Sequence, residues 1–259
     1  MENNKYNTKV TKEDIANGVK DEYGVLYSPD GKRLLKGNKD IKSYTIKEGT
    51  KVICDQAFYR CKSLKSIVIP ESVTKIGCGF FYRCSSLQSI VIPNSVTEIG
   101  GMTFSYCDSL QSIVIPKSVT EIEDNPFPPK IEVISHSERF VVENDFFIDL
   151  KEKRLIQPLK DKKHIVIPDS VTKIGKFAFW SCKSLQSIVI PKSVTEIASN
   201  AFEFCESLQS IIIPESVTEI GSGAFVFCDS LESIVIPKGT KEHFEDLLDE
   251  EYHELLKEK

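Results

Sequence analysis

The chain has 259 residues, with 33 Lys and Arg against 38 Asp and Glu, a net charge of −5 and a pI near 5.6. That balance disfavours nucleic acid as a partner, because nucleic acid selects a basic patch. No apolar run approaches the roughly 20 residues of a membrane span, and the start of the chain lacks the apolar core of a secretion signal, so the expected location is the cytoplasm, with the cell surface or secretion as the alternative for a chain already trimmed.

Residues 1–22 form a polar lead-in. Positions 1–10 are expected to fray. Thr11-Lys12-Glu13-Asp14 has the spacing of a capping box, and Gly18 marks the end of the short helix it starts. This helix is expected to cover the first part of the body.

Residues 23–139 hold a hairpin and a first array of repeats. Ser28-Pro29-Asp30-Gly31 is a turn signal between Val25-Leu26-Tyr27 and Lys32-Arg33-Leu34-Leu35. From about Ile46 to Phe127 the text becomes periodic. The prolines of Ile-x-Ile-Pro fall at Pro70, Pro93 and Pro116, and again at Pro168, Pro191, Pro214 and Pro237. Within each set the interval is 23 residues. One copy reads L-x-S-I-x-I-P-x-S-V-T-x-I-G-x-x-A-F-x-x-C-x-S.

The segment L-x-x-I-x-I is β-branched and stops at proline, which marks a short strand. In the second copy Leu87, Ile90 and Ile92 point inward, and Ser89 and Val91 outward. Val96 and Ile99 return inward from a second extended stretch, and Gly100 permits the next bend. Phe104 and Cys107 are three apart, which predicts one turn of helix with both side chains inward. Asn125–Pro129 breaks the pattern: two consecutive prolines cannot continue such a turn, and no Cys follows Phe127. Ile131-Glu132-Val133 is expected to pair as a shortened rung.

Residues 140–238 repeat the plan. Asp145–Ile167 matches Gly24–Ile46 at an offset of 121, with Arg33 on Arg154, Leu34 on Leu155 and Asp40 on Asp161. A second array then runs from about Ile165 to Pro237. Residues 239–259 close the chain. Phe244, Leu247, Leu248, Tyr252, Leu255 and Leu256 lie on one stripe of a predicted capping helix. Thr240 is its expected N-cap, Glu242 lies in its first turn, and Lys257 and Lys259 in its last. Its acidic polar face argues against docking on anionic lipid.

One 23-residue coil cannot bury its own apolar side, but stacked copies cover each other. The predicted architecture is therefore a repeat solenoid, with strands aligned into a parallel sheet at about 4.8 Å per coil. The motifs Leu-x-x-Ile-x-Ile-Pro, Val-x-x-Ile-Gly, Ala201-Phe202 and Cys205-Glu206-Ser207-Leu208 resemble the BspA-like (Treponema-type) leucine-rich repeats of bacteria over about residues 23–240. The resemblance implies a right-handed β/α coil, mostly strand with short helical turns. It also implies a surface adhesin or binding protein.

Six of the eight cysteines, Cys61, Cys84, Cys107, Cys182, Cys205 and Cys228, recur once per coil. Metal sites bunch their ligands instead, so these are read as buried free thiols and not as a metal centre or disulfides. Cys54 and Cys78 fall outside this ladder and are expected to be more exposed. His136, His164, His243 and His253 show no ligand spacing and are read as solvated. No catalytic motif is present, so neither an enzyme nor a cofactor is expected.

What remains is surface. The outward strand position carries Val68, Val91, Val114, Val166, Val189, Ile212 and Val235, beside a column of serines and then Gln88, Gln111, Gln186 and Gln209. An apolar file rimmed by small polar residues marks an interaction site; β-branched residues also favour strands wherever they face. The functional expectation is a monomeric, non-enzymatic module binding a protein or peptide on the strand face. A polysaccharide-contacting adhesin and a plain scaffold are the alternatives.

Overall fold

A computed structural model describes residues 7–259. The expectation of fraying at 1–6 lies outside the described residues. The chain forms two compact units, Met1–Glu138 and Arg139–Lys259.

In the first unit, helix α1 (Lys12–Asn17) starts at the expected capping box: the Thr11 hydroxyl accepts from the Asp14 N–H, and the Asp14 carboxylate accepts from the Thr11 N–H. Residues 7–9, expected to fray, are held by the body instead. Asp55 N–H donates to the Thr8 carbonyl at 2.8 Å, and Arg33 reaches Asn7, Lys9 and Asp14. The segment is thereby tied across the first coil.

The hairpin pairs Leu26–Tyr27 with Arg33–Lys36 antiparallel, and Gly31 N–H closes its turn on the Ser28 carbonyl at 2.8 Å. Arg33–Lys36 then starts a parallel ladder through Val52–Ile53, Lys75–Ile76, Glu98–Ile99 and Glu121–Ile122. The sequence duplication is structural too: in the second unit Phe146–Asp149 and Arg154–Pro158 form the hairpin, and Arg154 and Leu155 pair with Lys173 and Ile174. That register is the first unit's Arg33–Val52 and Leu34–Ile53 moved by 121.

The Ile-x-Ile-Pro segments form a separate parallel face. In the second unit it is unbroken: His164–Val166, Ser187–Val189, Ser210–Ile212 and Ser233–Ile236 pair in order and in register. In the first unit it is interrupted. Ser43–Thr45 pairs with Ser66–Val68, and Ser112–Ile115 with Glu132–Ser135, but Ser66 and Ser89 make only a single bridge between them. Ile90, expected inside, is half-buried there. Leu87–Pro93 is identical in sequence to Leu110–Pro116, so the gap is not written in the strand itself. The rung at Glu132–Ser135 is a full four residues and not shortened.

The third side of each coil corrects the helical-turn expectation. Cys61 N–H donates to the Phe58 carbonyl at 3.0 Å and Cys84 N–H to Phe81 at 2.9 Å, closing four-residue turns. The residue before each Cys has positive φ, 59° at Arg60 and 62° at Arg83, which no helix tolerates. Successive turns are bonded to each other instead: Phe58 N–H to the Phe80 carbonyl, Arg60 N–H to Tyr82, Phe81 N–H to Thr103. Helix and turn share the i, i+3 contact, so spacing alone did not separate them. The break at Asn125–Pro129 also keeps its place in the stack: Phe104 N–H donates to the Pro126 carbonyl, and Phe127 stacks on Phe104 at 6.3 Å.

The core is a set of ladders. Phe58, Phe81, Phe104 and Phe127 line the first unit, and Phe179, Phe202 and Phe225 the second, all buried. Each contributes about 2 kcal/mol by leaving water. The C-terminal segment is not one helix. Helix α2 (Lys241–Leu247) is followed by a 3-10 turn, Glu250–Leu255, and by a strand, Leu256–Glu258, parallel to Ser233–Ile236. Thr240 precedes α2 without a side-chain cap; its hydroxyl donates to the Pro237 carbonyl. Lys257 and Lys259 therefore sit on and just beyond an edge strand, not in a last helical turn.

Candidate functional site

The outward file is exposed as the alternation demands. Val91 is 78% exposed and Val68 57%, with Val114 at 43%. Ile134, in register with Val114, extends this file by one rung. Sequence reading missed it because its strand lacks the Ile-x-Ile-Pro signature. In the second unit Val166, Val189 and Ile212 lie on adjacent strands at 71%, 37% and 41%. Val235 is only half-buried, because Lys257 of the last strand pairs beside it.

The flanking columns are fixed by backbone pairing. Gln88 N–H donates to the Lys65 carbonyl at 3.1 Å, Gln186 to Lys163 at 2.7 Å and Gln209 to Gln186 at 2.8 Å. Gln88, Gln111 and Gln209 are exposed and Gln186 half-buried. His164 Nδ1 lies 2.8 Å from Ser187 Oγ, so its ring belongs to the same face. His243 and His253 also have partners, the carbonyls of Val217 and Leu248, against the expectation of purely solvated rings.

A second surface feature was not singled out from sequence. Tyr59 and Tyr82 stack at 5.5 Å with an interplanar angle of 9°, and Tyr82 meets Tyr106 edge-on at 5.3 Å. The guanidinium of Arg60 lies 5.0 Å from the Tyr59 ring centre, and that of Arg83 lies 5.5 Å from Tyr82 and 5.0 Å from Tyr106. In the second unit Trp180 meets Phe204 edge-on at 6.4 Å, and Phe204 stacks on Phe227 at 4.5 Å. The signal was an aromatic one or two residues after each buried Phe.

The backbone beneath this ladder is strained. Arg60, Arg83, Tyr106, Ser181, Phe204 and Phe227 all have φ between 58° and 62°. The left-handed region costs an L-residue about 1–2 kcal/mol relative to glycine. A second positive-φ column, four residues earlier, mixes Gly79, Asn200 and Gly223, which relieve that cost, with Gln56, Met102 and Phe177, which do not. The ladder column uses neither glycine nor asparagine.

Cys54 is buried, contrary to expectation, while Cys78 is half-buried. Its Sγ donates to Glu123 Oε2 at 2.9 Å, and the Gly101 N–H donates to the same oxygen. Burial, then the Glu123 carboxylate, push the Cys78 thiol up to about 12, so it carries little thiolate at neutral pH. A cleft of about 420 Å³ in the second unit is lined by the carboxylate residues Glu196, Glu219 and Asp246 together with Ser199, Thr218 and Leu247. Among the described residues no group of three or more His, Cys, Asp or Glu is placed to hold a metal, and no helix is long and apolar enough to cross a membrane.

The model of the BspA type leucine rich repeat region matches residues 31–137 and 159–250, in six copies. A leucine-rich repeat protein from Eubacterium ventriosum has 27% identity and a TM-score of 0.66, over 86% of this chain and 70% of that one. A leucine rich cell surface protein from Faecalibacterium prausnitzii has 29% identity and a TM-score of 0.54, over 78% and 69%. The pneumococcal vaccine antigen PcpA, at 16% identity and a TM-score of 0.53 over 85% and 81%, shares the fold. No curated protein matches the chain. With coils of 23 residues, ladders of Phe and Cys and a family match over most of its length, the chain belongs to the BspA-type leucine-rich repeat family.

Proposed function

We propose that the chain is a non-enzymatic binding module that takes a protein or peptide against its strand face. The observation that carries this reading is the file Val166, Val189 and Ile212: exposed, apolar, in register on adjacent strands and rimmed by Ser187, Ser210 and the Gln column. A rigid apolar strip of this kind loses little entropy when a partner covers it. The less regular file of the first unit, Val68, Val91 and Val114, offers a second contact of the same chemistry.

The test is Val189→Lys with Ile212→Lys. Both side chains are outward, so the fold is retained and far-UV dichroism stays native. Capture of the wild-type chain's partner from a lysate of the native organism is lost. Undiminished capture removes the strand face as the site.

A second reading, display at the cell surface as an adhesin, is favoured by the likeness to the Faecalibacterium cell surface protein. Protease treatment of intact cells tests it: a displayed protein is degraded, and a protected one ends the adhesin reading.

A further inference from the structure

We propose that the turn-side ladder of the first unit, formed by Tyr59, Arg60, Tyr82, Arg83 and Tyr106, is a binding site for an acidic polysaccharide. It lies on a different side of the coil from the strand face and does not depend on the function proposed there.

The first argument is backbone strain. Arg60, Arg83 and Tyr106 are held at φ of 59°, 62° and 60°, where glycine or asparagine is at ease. Large side chains kept in such a conformation point to a role for the side chain itself.

A role in packing alone is answered by the second unit. At the 121-residue offset Tyr59 becomes Trp180, Tyr106 becomes Phe227, Arg83 becomes Phe204 and Arg60 becomes Ser181. Aromatic contacts persist there, Trp180 on Phe204 and Phe204 on Phe227, with no arginine in the column. The turns therefore stack without arginine, and the two arginines of the first unit are additional to that packing.

The geometry then selects a ligand. A guanidinium carries five N–H donors, so Arg83, whose side chain bonds the Tyr82 and Tyr106 hydroxyls, and Arg60 beside Tyr59 retain donors that can meet carboxylate or sulfate. The half-buried rings of Tyr59, Tyr82 and Tyr106, packed on one another, add apolar surface beside those charges. Arg60, Arg83, Lys62 and Lys39 are set against two acids near the same turns, Asp40 by Cys61 and Asp108 by Cys107, on a chain whose net charge is −5. The elements recur once per coil, about 4.8 Å apart. A polymer with a ring and an acidic group in each repeating unit matches both the chemistry and the period.

The experiment titrates the full chain by calorimetry with polygalacturonate, heparin and neutral dextran. Binding to one or both acidic polymers, weakened by added salt and absent with dextran, is expected. Arg60→Gly with Arg83→Gly relieves the strain while removing the charge, so the melting temperature holds or rises and affinity falls at least about tenfold. Arg60→Gln with Arg83→Gln keeps planar side chains and loses affinity likewise. The strand-face variant Val189→Lys with Ile212→Lys binds as wild type, which separates this proposal from the previous one. Equal binding of dextran, undiminished binding by either arginine variant, or binding of a single-stranded oligonucleotide in place of both acidic polymers overturns it.

Discussion

The thiol of Cys84 donates to the backbone carbonyl of Phe58, 3.1 Å away in the preceding coil. The same bond recurs from Cys107 to Phe81, Cys205 to Phe179 and Cys228 to Phe202, at 3.1–3.2 Å. The cysteine column thus fastens each coil to the one before it, and all eight thiols are free.

Native thiols should therefore be nearly inert. Burial raises Cys61 to about 11 and Cys107 to about 12, and the thiolate is the reactive form. Iodoacetamide at neutral pH should leave the buried Cys84, Cys107 and Cys205 unmodified, and label every cysteine once the chain is unfolded in urea. Mass spectrometry of the two samples decides it. Cys84→Ala should cost about 2 kcal/mol, from the lost bond and the small void it leaves. Rapid native modification of Cys84 would contradict the packing.

Much of this was legible because a repeat writes its own burial pattern. One copy of the text points Leu87, Ile90, Ile92, Val96, Ile99, Phe104 and Cys107 inward, and all are buried but Ile90, which is half-buried. The misses have a common cause: local spacing is shared by different hydrogen-bond patterns. Phe58 and Cys61 touch in a turn as they would in a helix, and only the positive φ at Arg60 separates the two. Leu256 fits a helical stripe, yet the free edge of Ser233–Ile236 offers it backbone partners that helix α2 cannot. The Tyr–Arg ladder is not legible because half-buried aromatics outside the inward positions do not contribute to an apolar-face pattern.

Asp149 should govern acid stability of the second unit. Its side chain is fully buried, accepts from Arg139 Nε at 2.9 Å and Nη2 at 2.8 Å, and takes the N–H groups of Lys151 and Glu152 in the hairpin turn. Burial alone would raise its pKa, but the Arg139 bonds, the Glu152 N–H and the charges of Arg139 and Arg154 outweigh it and hold the value below 3.8. A carboxyl depressed on folding stabilises fully above its unfolded pKa, and that contribution fades as pH falls through the folded one. Urea midpoints should show no Asp149-dependent change between about pH 7 and 5 and a decline below about pH 4. Asp149→Asn should cost about 3 kcal/mol at neutral pH, by removing the buried charge that Arg139 and Arg154 offset, and should flatten the acid decline. An acid limb that persists unchanged in the variant assigns it to other groups.

The last strand should keep the chain from associating through its sheet edge. Leu256–Glu258 pairs with Ser233–Ile236, Lys259 N–H donates to the Ile236 carbonyl at 3.0 Å, and Lys257 lies beside Val235. A charged final strand is a standard defence of an open edge. Removing residues 256–259 leaves Ser233–Ile236 as the edge, with Val235 newly uncovered among unpaired backbone groups. Light scattering of the truncated chain should show mass rising with concentration, while the full chain remains a monomer over the same range. Val235→Lys in the truncated chain should restore the monomer, because a lysine at the new edge replaces the charge that Lys257 supplied. A truncated chain that stays monomeric at every concentration would mean that helix α2 and the Glu250–Leu255 turn suffice to guard the end.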